Sequence, residues 1–110
     1  MLRESQTAVV ARNEVWEGSI ATEPYEAGWA LEAVIFVRAL GDAAGTPGEA
    51  RVELSPDGMR WLPEGTTLPL PGRRDETTVA RVRHFGNWLR IAADLAPGVS
   101  LKVIVTMHLK

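Results

Sequence analysis

The chain contains no cysteine, which excludes a disulfide framework and any metal site built on thiolates. Its longest apolar run, residues 33–37, is far too short to cross a bilayer. Residues 1–7 lack the apolar run of a signal peptide. We therefore expect no membrane contact and a cytoplasmic protein by default, although a component of a released particle would have the same features.

Side chains suited to catalysis are few. The two histidines, His84 and His108, are predicted by strand alternation to face inward and outward respectively, so a shared metal site is disfavoured. Ser55 and Asp57 lie in one turn, with no histidine placed to activate a nucleophile. No glycine-rich loop of the phosphate-binding type is present in the sequence. We expect a protein that is not an enzyme and that uses no cofactor and no metal.

Several acidic residues nevertheless occur in pairs. Glu14 with Glu17, and Glu23 with Glu26, could serve general acid–base catalysis only in a cleft that separates their pKa values. Solvated acids on loops and edge strands explain them more simply. Calcium binding through Glu23, Glu26 or Asp42 is the alternative, because hard cations prefer oxygen ligands.

Composition and charge describe one small globular domain over residues 1–110. The chain is 45% hydrophobic and 24% charged, which is typical of a folded protein rather than a disordered one. The net charge of −2 is unevenly distributed, with eleven acids and five bases in residues 1–64 but three acids and seven bases in residues 65–110. This asymmetry raises the hypothesis of head-to-tail attraction between copies.

Period-two alternation of apolar residues dominates the chain. It is strongest in residues 99–110, where every second residue from Val99 to Leu109 is apolar, and it recurs in residues 30–40. Gly41–Gly48 and Ser55–Gly58 are predicted to be turns, and the proline-rich residues 63–72 an extended crossing with a short edge strand at 68–70. Residues 59–62 are expected to pair back with residues 50–55.

The pattern predicts an all-β fold, an antiparallel β-sandwich of about eight strands, for which a jelly roll is one arrangement. An OB-like barrel is the alternative fold, and a helix at residues 30–40 is the alternative for that segment.

Residues 79–94 carry the strongest functional signal. Gly86-Asn87 fits a two-residue hairpin turn, because both residues tolerate positive φ. Pairing outward from this turn would set Phe85 opposite Trp88, and would direct cationic and aromatic side chains to one face. We predict that this face is a contact surface, formed by Arg81, Arg83, Phe85, Trp88 and Arg90.

The same pairing would set Arg83 opposite Arg90, a repulsive arrangement that something must offset. An acid from a facing strand of the same chain, such as Glu32 or Glu53, is one candidate, and an acid from a neighbouring subunit is the other. Interfaces favour arginine and aromatic residues. Apolar side chains outside a single core, at Val34, Phe36 and Ile104, add to the case for self-association or docking onto a larger protein assembly.

Two other classes of partner fit parts of the sequence. Single-stranded nucleic acid could use a cationic face with stacking rings, although the acidic total argues against it; its candidates are Arg73, Arg74, Arg81, Arg83, Arg90, Phe85 and Trp88. Carbohydrate binding requires exposed rings, and Trp88 is the best candidate. The other rings are Trp16, Tyr25, Trp29 and Trp61, of which Trp61 is expected in the core.

Residues 55–61, Ser-Pro-Asp-Gly-Met-Arg-Trp, resemble the S-x-D-G-x-x-W hairpin of small bacterial and phage β-sandwich modules, including discoidin-like and fibronectin-like accessory domains. They are also similar to the Asp-box hairpin, S-x-D-x-G-x-T-W, but are one residue shorter and lack the threonine. The resemblance implies an architectural role: Asp57 braces the turn formed with Ser55 and Gly58, and Trp61 packs beneath it. It implies no catalytic residue, and it suggests a phage-type or shell-type accessory subunit.

Overall fold

Nine β-strands in two antiparallel sheets form the fold in a computed structural model that describes residues 5–110. Sheet A has the strand order β1-β9-β4-β7, and sheet B has the order β2-β8-β5-β6, with β3 also paired to β8. The strands are β1 (Gln6–Trp16), β2 (Ser19–Ala21), β3 (Tyr25–Glu26), β4 (Glu32–Ala39), β5 (Glu49–Ser55), β6 (Leu62–Pro69), β7 (Thr77–Arg83), β8 (Trp88–Asp94) and β9 (Leu101–Leu109). The prediction of an all-β antiparallel sandwich is confirmed. Within this part of the chain, no helix is long and apolar enough to span a membrane.

The strand pairing is that of a jelly roll. β1 pairs with β9, β2 and β3 pair with β8, β4 pairs with β7, and β5 pairs with β6. The chain therefore follows the path of one long antiparallel hairpin whose tip is the turn between β5 and β6. This double strand is folded over so that successive pairs alternate between the two sheets.

The winding places strands from the two halves of the sequence side by side. β9 lies between β1 and β4, and β8 lies between β2 and β5. The acidic first half and the basic second half therefore do not form two ends of the molecule. Acidic and basic side chains are instead divided between the outer faces of the two sheets.

Alternation along β9 and β4 builds the centre of the core. The inward residues of β9 are Leu101, Val103, Val105, Met107 and Leu109, all buried, as the sequence predicts. β4 contributes Ala33, Ile35 and Val37, which confirms a strand rather than a helix there. These residues join side chains of sheet B, including Val52, Leu89 and Ile91, in one apolar cluster between the sheets.

The edge strands depart from regular pairing. β1 shifts register between Val9 and Ala11 and again before Glu14, where Asn13 has a φ of 57°. Bulges of this kind twist an edge and discourage pairing with another chain. β6 is longer than the predicted edge strand, and its Pro63 and Pro69 are tolerated because β6 lies at the edge of sheet B. Residues 59–61 remain in the turn instead of returning as a strand.

The predicted hairpin at Gly86-Asn87 is wrong. β7 pairs with β4 in sheet A, whereas β8 pairs with β5, β2 and β3 in sheet B. Residues 84–87 are a crossing between the sheets, in which His84 and Gly86 take positive φ values of 53° and 78°. Positive φ suits a tight hairpin and a sheet-to-sheet crossing equally well, so the dipeptide could not distinguish them.

Candidate functional site

The five predicted contact residues do not form one surface. Arg81 and Arg83 lie on the outer face of sheet A, because the alternating residues Ala80 and Val82 are buried. Trp88 and Arg90 lie on the outer face of sheet B, opposite the buried Leu89 and Ile91. The two pairs are therefore on opposite sides of the sandwich. The same division separates the residues that a single nucleic-acid-binding face would require.

Phe85 is a core residue. Its exposed fraction is 3%, and it belongs to the apolar cluster between the sheets. The crossing turns its side chain inward and leaves His84, which was predicted to face inward, exposed to solvent. A residue buried in this way supports the fold and offers no contact area to a partner.

The repulsive pair of Arg83 and Arg90 does not exist, because each arginine faces an acid of its own chain. Arg83 lies opposite Glu32 on β4, with Nη2 and Oε2 3.5 Å apart. Arg90 lies opposite Glu53 on β5, with Nε and Oε1 2.7 Å apart. The predicted repulsion was therefore wrong, and these arginines, which lie beside Glu32 and Glu53 of the same chain, require no neighbouring subunit to offset their charge.

A network of ion pairs covers the outer face of sheet B. Glu53 accepts hydrogen bonds from Arg90 and from Arg51 Nε, the latter at 3.0 Å. Arg51 Nη1 also donates to Asp94 at 2.7 Å, and the Ser19 hydroxyl donates to the other oxygen of Asp94 at 2.8 Å. The network joins β2, β8 and β5.

Contacts within this network lower the pKa values of its two acids. Burial alone would raise the pKa of the Glu53 carboxyl, but hydrogen bonds and charge attraction from Arg51 and Arg90 outweigh it and hold the pKa below 4.5. The Ser19 hydroxyl and then Arg51 lower the pKa of Asp94. Both acids are therefore kept charged, as partners of the arginines.

Two tryptophan rings border this network. The Arg90 guanidinium carbon lies 4.2 Å from the centre of the Trp61 ring, a cation–π contact. Trp61 is half-buried on this outer side, so its expected place in the core is wrong. The Trp88 ring packs against Gly58, where an added Cβ would lie 3.3 Å from it. Each ring thus has one side in contact with its own chain, which reduces the area that it offers to a sugar.

The turn between β5 and β6 is held by Ser55 and Asp57. The Ser55 hydroxyl accepts hydrogen bonds from the amides of Asp57 and Gly58, at 3.2 and 2.9 Å. One carboxylate oxygen of Asp57 accepts the amides of Met59 and Arg60, both at 2.9 Å, and these bonds lower the pKa of Asp57. Gly58 has a φ of 79°, the left-handed conformation that favours glycine. Asp57 therefore braces the turn.

The outer face of sheet A carries a row of three apolar residues and one threonine that crosses all four strands. Successive cross-strand neighbours are Val9, Thr106, Phe36 and Val79. Val9 and Val79 are 41% and 37% exposed, and Phe36 is half-buried. We call these four residues the apolar row.

Further apolar and aromatic groups flank the apolar row. Val34 and Ile104, both half-buried, occupy the neighbouring positions on β4 and β9. The Phe36 and His108 rings meet edge to face, with centroids 5.2 Å apart and planes at 74°. Two surface depressions of about 220 and 270 Å³ lie beside this ring pair. The outer face of sheet A is therefore uneven and apolar at its centre.

The sequence identified part of this surface. Val34, Phe36 and Ile104 were assigned outside the core, and the structure places them there. Val79 was missed, although alternation along β7 puts it on the same face as Arg81. Val9 was missed because the bulges in β1 interrupt the alternation that would have shown it.

Groups able to hold a metal ion are not found in residues 5–110, since no three acidic or histidine side chains come together there. A further depression, of about 330 Å³, lies at the end of the sandwich between Gly18 and residues 95–100, and Glu17 is the acidic residue in its lining. Its lining provides no set of groups for acid–base or nucleophilic chemistry.

Comparison with known proteins shows a similarity of fold. No family model matches the chain, and no curated protein matches it. Among solved structures, the SPBc2 prophage-derived protein YomS is similar over 96% of this chain and 92% of its own, with a TM-score of 0.59 and 7% identity. A protein of Bacillus endospore appendages, described as disulfide-linked pili, has a TM-score of 0.49 and 13% identity over 97% of this chain and 87% of its own. At 7% identity, the likeness to YomS shows a shared β-sandwich fold.

Proposed function

We propose that this protein is a non-enzymatic assembly subunit that contacts its partners, copies of itself among them, through the outer face of sheet A. The apolar row is the observation that carries the proposal. Val9 and Val79, at the two ends of the apolar row, keep more than a third of their surface exposed, and Val79 lies beside Phe36. Contiguous apolar patches rimmed by polar residues are typical of protein–protein contact sites.

The rim of this face has the composition of an interface. Arg38, Arg81 and Arg83 flank the apolar row on β4 and β7, and Lys102 is the lysine of this rim on β9. Interfaces are enriched in arginine and aromatic residues and depleted in lysine. On the outer face of sheet B the arginines are instead engaged by Glu53 and Asp94. The fold shared with a prophage-derived protein supports a phage-type accessory subunit as the concrete form of this role.

The size of the face limits the strength of one contact. Four strands spaced about 4.8 Å apart, each about nine residues long at about 3.4 Å per residue, cover roughly 600 Å². A face-to-face contact would bury about 1,200 Å² in total, the low end for specific interfaces. Association through this face is therefore expected to be weak for one pair and to depend on concentration.

Substitution of Val79 by glutamate tests the proposal. Val79→Glu places a charge in the apolar row and is expected to reduce self-association of the concentrated protein, measured as weight-average mass by light scattering. Met59→Glu is the matched control, because it makes the same charge change at a side chain that is 79% exposed in the β5–β6 turn. Equal loss of mass in both variants, or none in Val79→Glu, would contradict the proposal. Thermal melts of both variants would establish that they remain folded.

A further inference from the structure

We propose that the outer face of sheet A binds the outer face of sheet B of a second copy, so that copies stack head to tail. This inference rests on the proposed function and specifies its partner. Sheet A must meet a surface of opposite charge, and the same chain carries such a surface on the other side of the sandwich. The argument starts from the charges that each face presents.

The outer face of sheet A is cationic. Among its strands β4, β7 and β9, one acid, Glu32, faces outward, and it pairs with Arg83. No ion pair within residues 5–110 engages the three other outward cations of these strands. They are Arg38, Arg81 and Lys102.

The outer face of sheet B is acidic. Four acids of β3, β5 and β8 face outward, and two arginines, Arg51 and Arg90, face outward beside them. Both arginines are engaged by Glu53 and Asp94. The remaining acids are Glu26 and Glu49, both exposed and without an ion pair in the part of the chain that the structure describes. On these strands each face thus has unpaired charges of one sign, while the exposed Arg12 and Glu14 of β1, at the edge of sheet A, balance each other.

The apolar groups of the two faces also complement each other. Sheet A presents the apolar row, and sheet B presents the outer sides of Trp61 and Trp88, both half-buried. Aromatic side chains set among charged groups are frequent anchors of protein interfaces. A stacked pair would therefore bring the Val79 and Phe36 side chains against tryptophan rings while opposite charges meet around them.

Pairing of two sheet A faces is the competing arrangement. It would set the unpaired cations of one copy against those of the other, and like charges brought together across an interface weaken association. Contact between two different faces avoids this repulsion. Such a contact leaves one free face at each end, so growth does not stop at a dimer unless the rotation between copies closes a ring.

Complementation between two variants tests the stacking. The sheet A variant is Val79→Glu/Arg81→Glu, and the sheet B variant is Glu26→Gln/Glu49→Gln; each disables one face and leaves the other intact, and the two altered faces do not attract each other. Each variant alone is expected to associate at least roughly tenfold more weakly than the wild-type chain, the size of effect of losing an interface anchor. An equimolar mixture is expected to form a species of two chains and no larger, because one intact pair of faces remains.

The control for the sheet B variant is Glu17→Gln/Glu23→Gln, which makes the same charge change in the β1–β2 and β2–β3 connections, outside both sheets. It should associate as the wild-type chain does. A sheet B variant that still associates, while the sheet A variant is monomeric, would overturn stacking and leave the proposed contact face intact. If both variants associate as strongly as the wild-type chain, or if the wild-type chain itself is monomeric, both proposals are wrong.

Discussion

Replacement of Glu53 by glutamine is expected to destabilise the fold, because Glu53 joins two arginines across neighbouring strands. Glutamine keeps the shape of the side chain but removes its charge. Arg90 and Arg51 donate to different oxygens of Glu53, so the glutamine NH2 group, which only donates, would face one of the two guanidinium groups. Arg90 and Arg51 donate to Glu53 at 2.7 and 3.0 Å. The Glu53 side chain is 10% exposed, so water cannot readily replace the lost acceptor.

The size of the effect follows from these contacts. A hydrogen bond to a charged group contributes about 1.5–3 kcal/mol, but partial exposure of both arginines and the second partner of Arg51 reduce the total. We expect a loss of about 2 kcal/mol, which lowers the melting temperature by about 8 °C in a domain of this size. Urea unfolding of dilute, monomeric protein would measure it. Glu49→Gln, an exposed residue on the same strand, is the control and should change stability by less than about 0.5 kcal/mol.

The effect must also depend on pH. The folded-state pKa of Glu53 lies below its usual value of 4.5, so its contribution is complete above that value and is lost as the pH falls through the lowered pKa. The difference between the wild-type chain and Glu53→Gln should therefore be largest near pH 7 and shrink below about pH 4.5. A difference that is absent near neutral pH, or constant down to about pH 3, would refute the role assigned to this network.

Three further substitutions test other parts of the structure. Phe85→Ala should cost about 3–5 kcal/mol in unfolding experiments if Phe85 is a core residue, whereas a surface residue would cost little. Gly28→Ala should destabilise the fold because its new Cβ would clash with the Asn87 side chain; in an Asn87→Ala background the cost should be smaller, and equal costs would exclude the contact. Asp57→Ala should speed hydrogen exchange at the two amides that its carboxylate accepts, and unchanged exchange would contradict its role in the turn.

Prediction from the sequence succeeded where side-chain alternation was long and uninterrupted. The alternating inward residues from Val99 to Leu109 predicted strand β9. The turn at Ser55–Gly58 was predicted because serine, proline, aspartate and glycine each suit one position of such a turn. These features are local, and so their structure follows from the local sequence. The sandwich class followed from the number and spacing of such strands.

Prediction failed where the partner of a strand had to be chosen. In a jelly roll, consecutive strands such as β7 and β8 enter different sheets, and nothing within residues 79–94 encodes which sheet each joins. Because of this wrong pairing, Phe85 was predicted to lie on the surface, and Arg81 and Trp88 were predicted to share one face. The ion pair of Arg51 with Asp94 was not found either, because it joins residues 43 positions apart. Contacts of this kind depend on register between distant segments.

Measurement of the solution mass of the wild-type chain tests most directly whether copies of this protein assemble with one another. Sedimentation equilibrium over a wide concentration range, at low and high salt, would provide it. We predict a mass that rises steadily above that of the 12.0 kDa monomer with concentration, and that falls back as salt screens the charged rim. A mass that stays at the monomer value at the highest concentration and lowest salt would contradict the account.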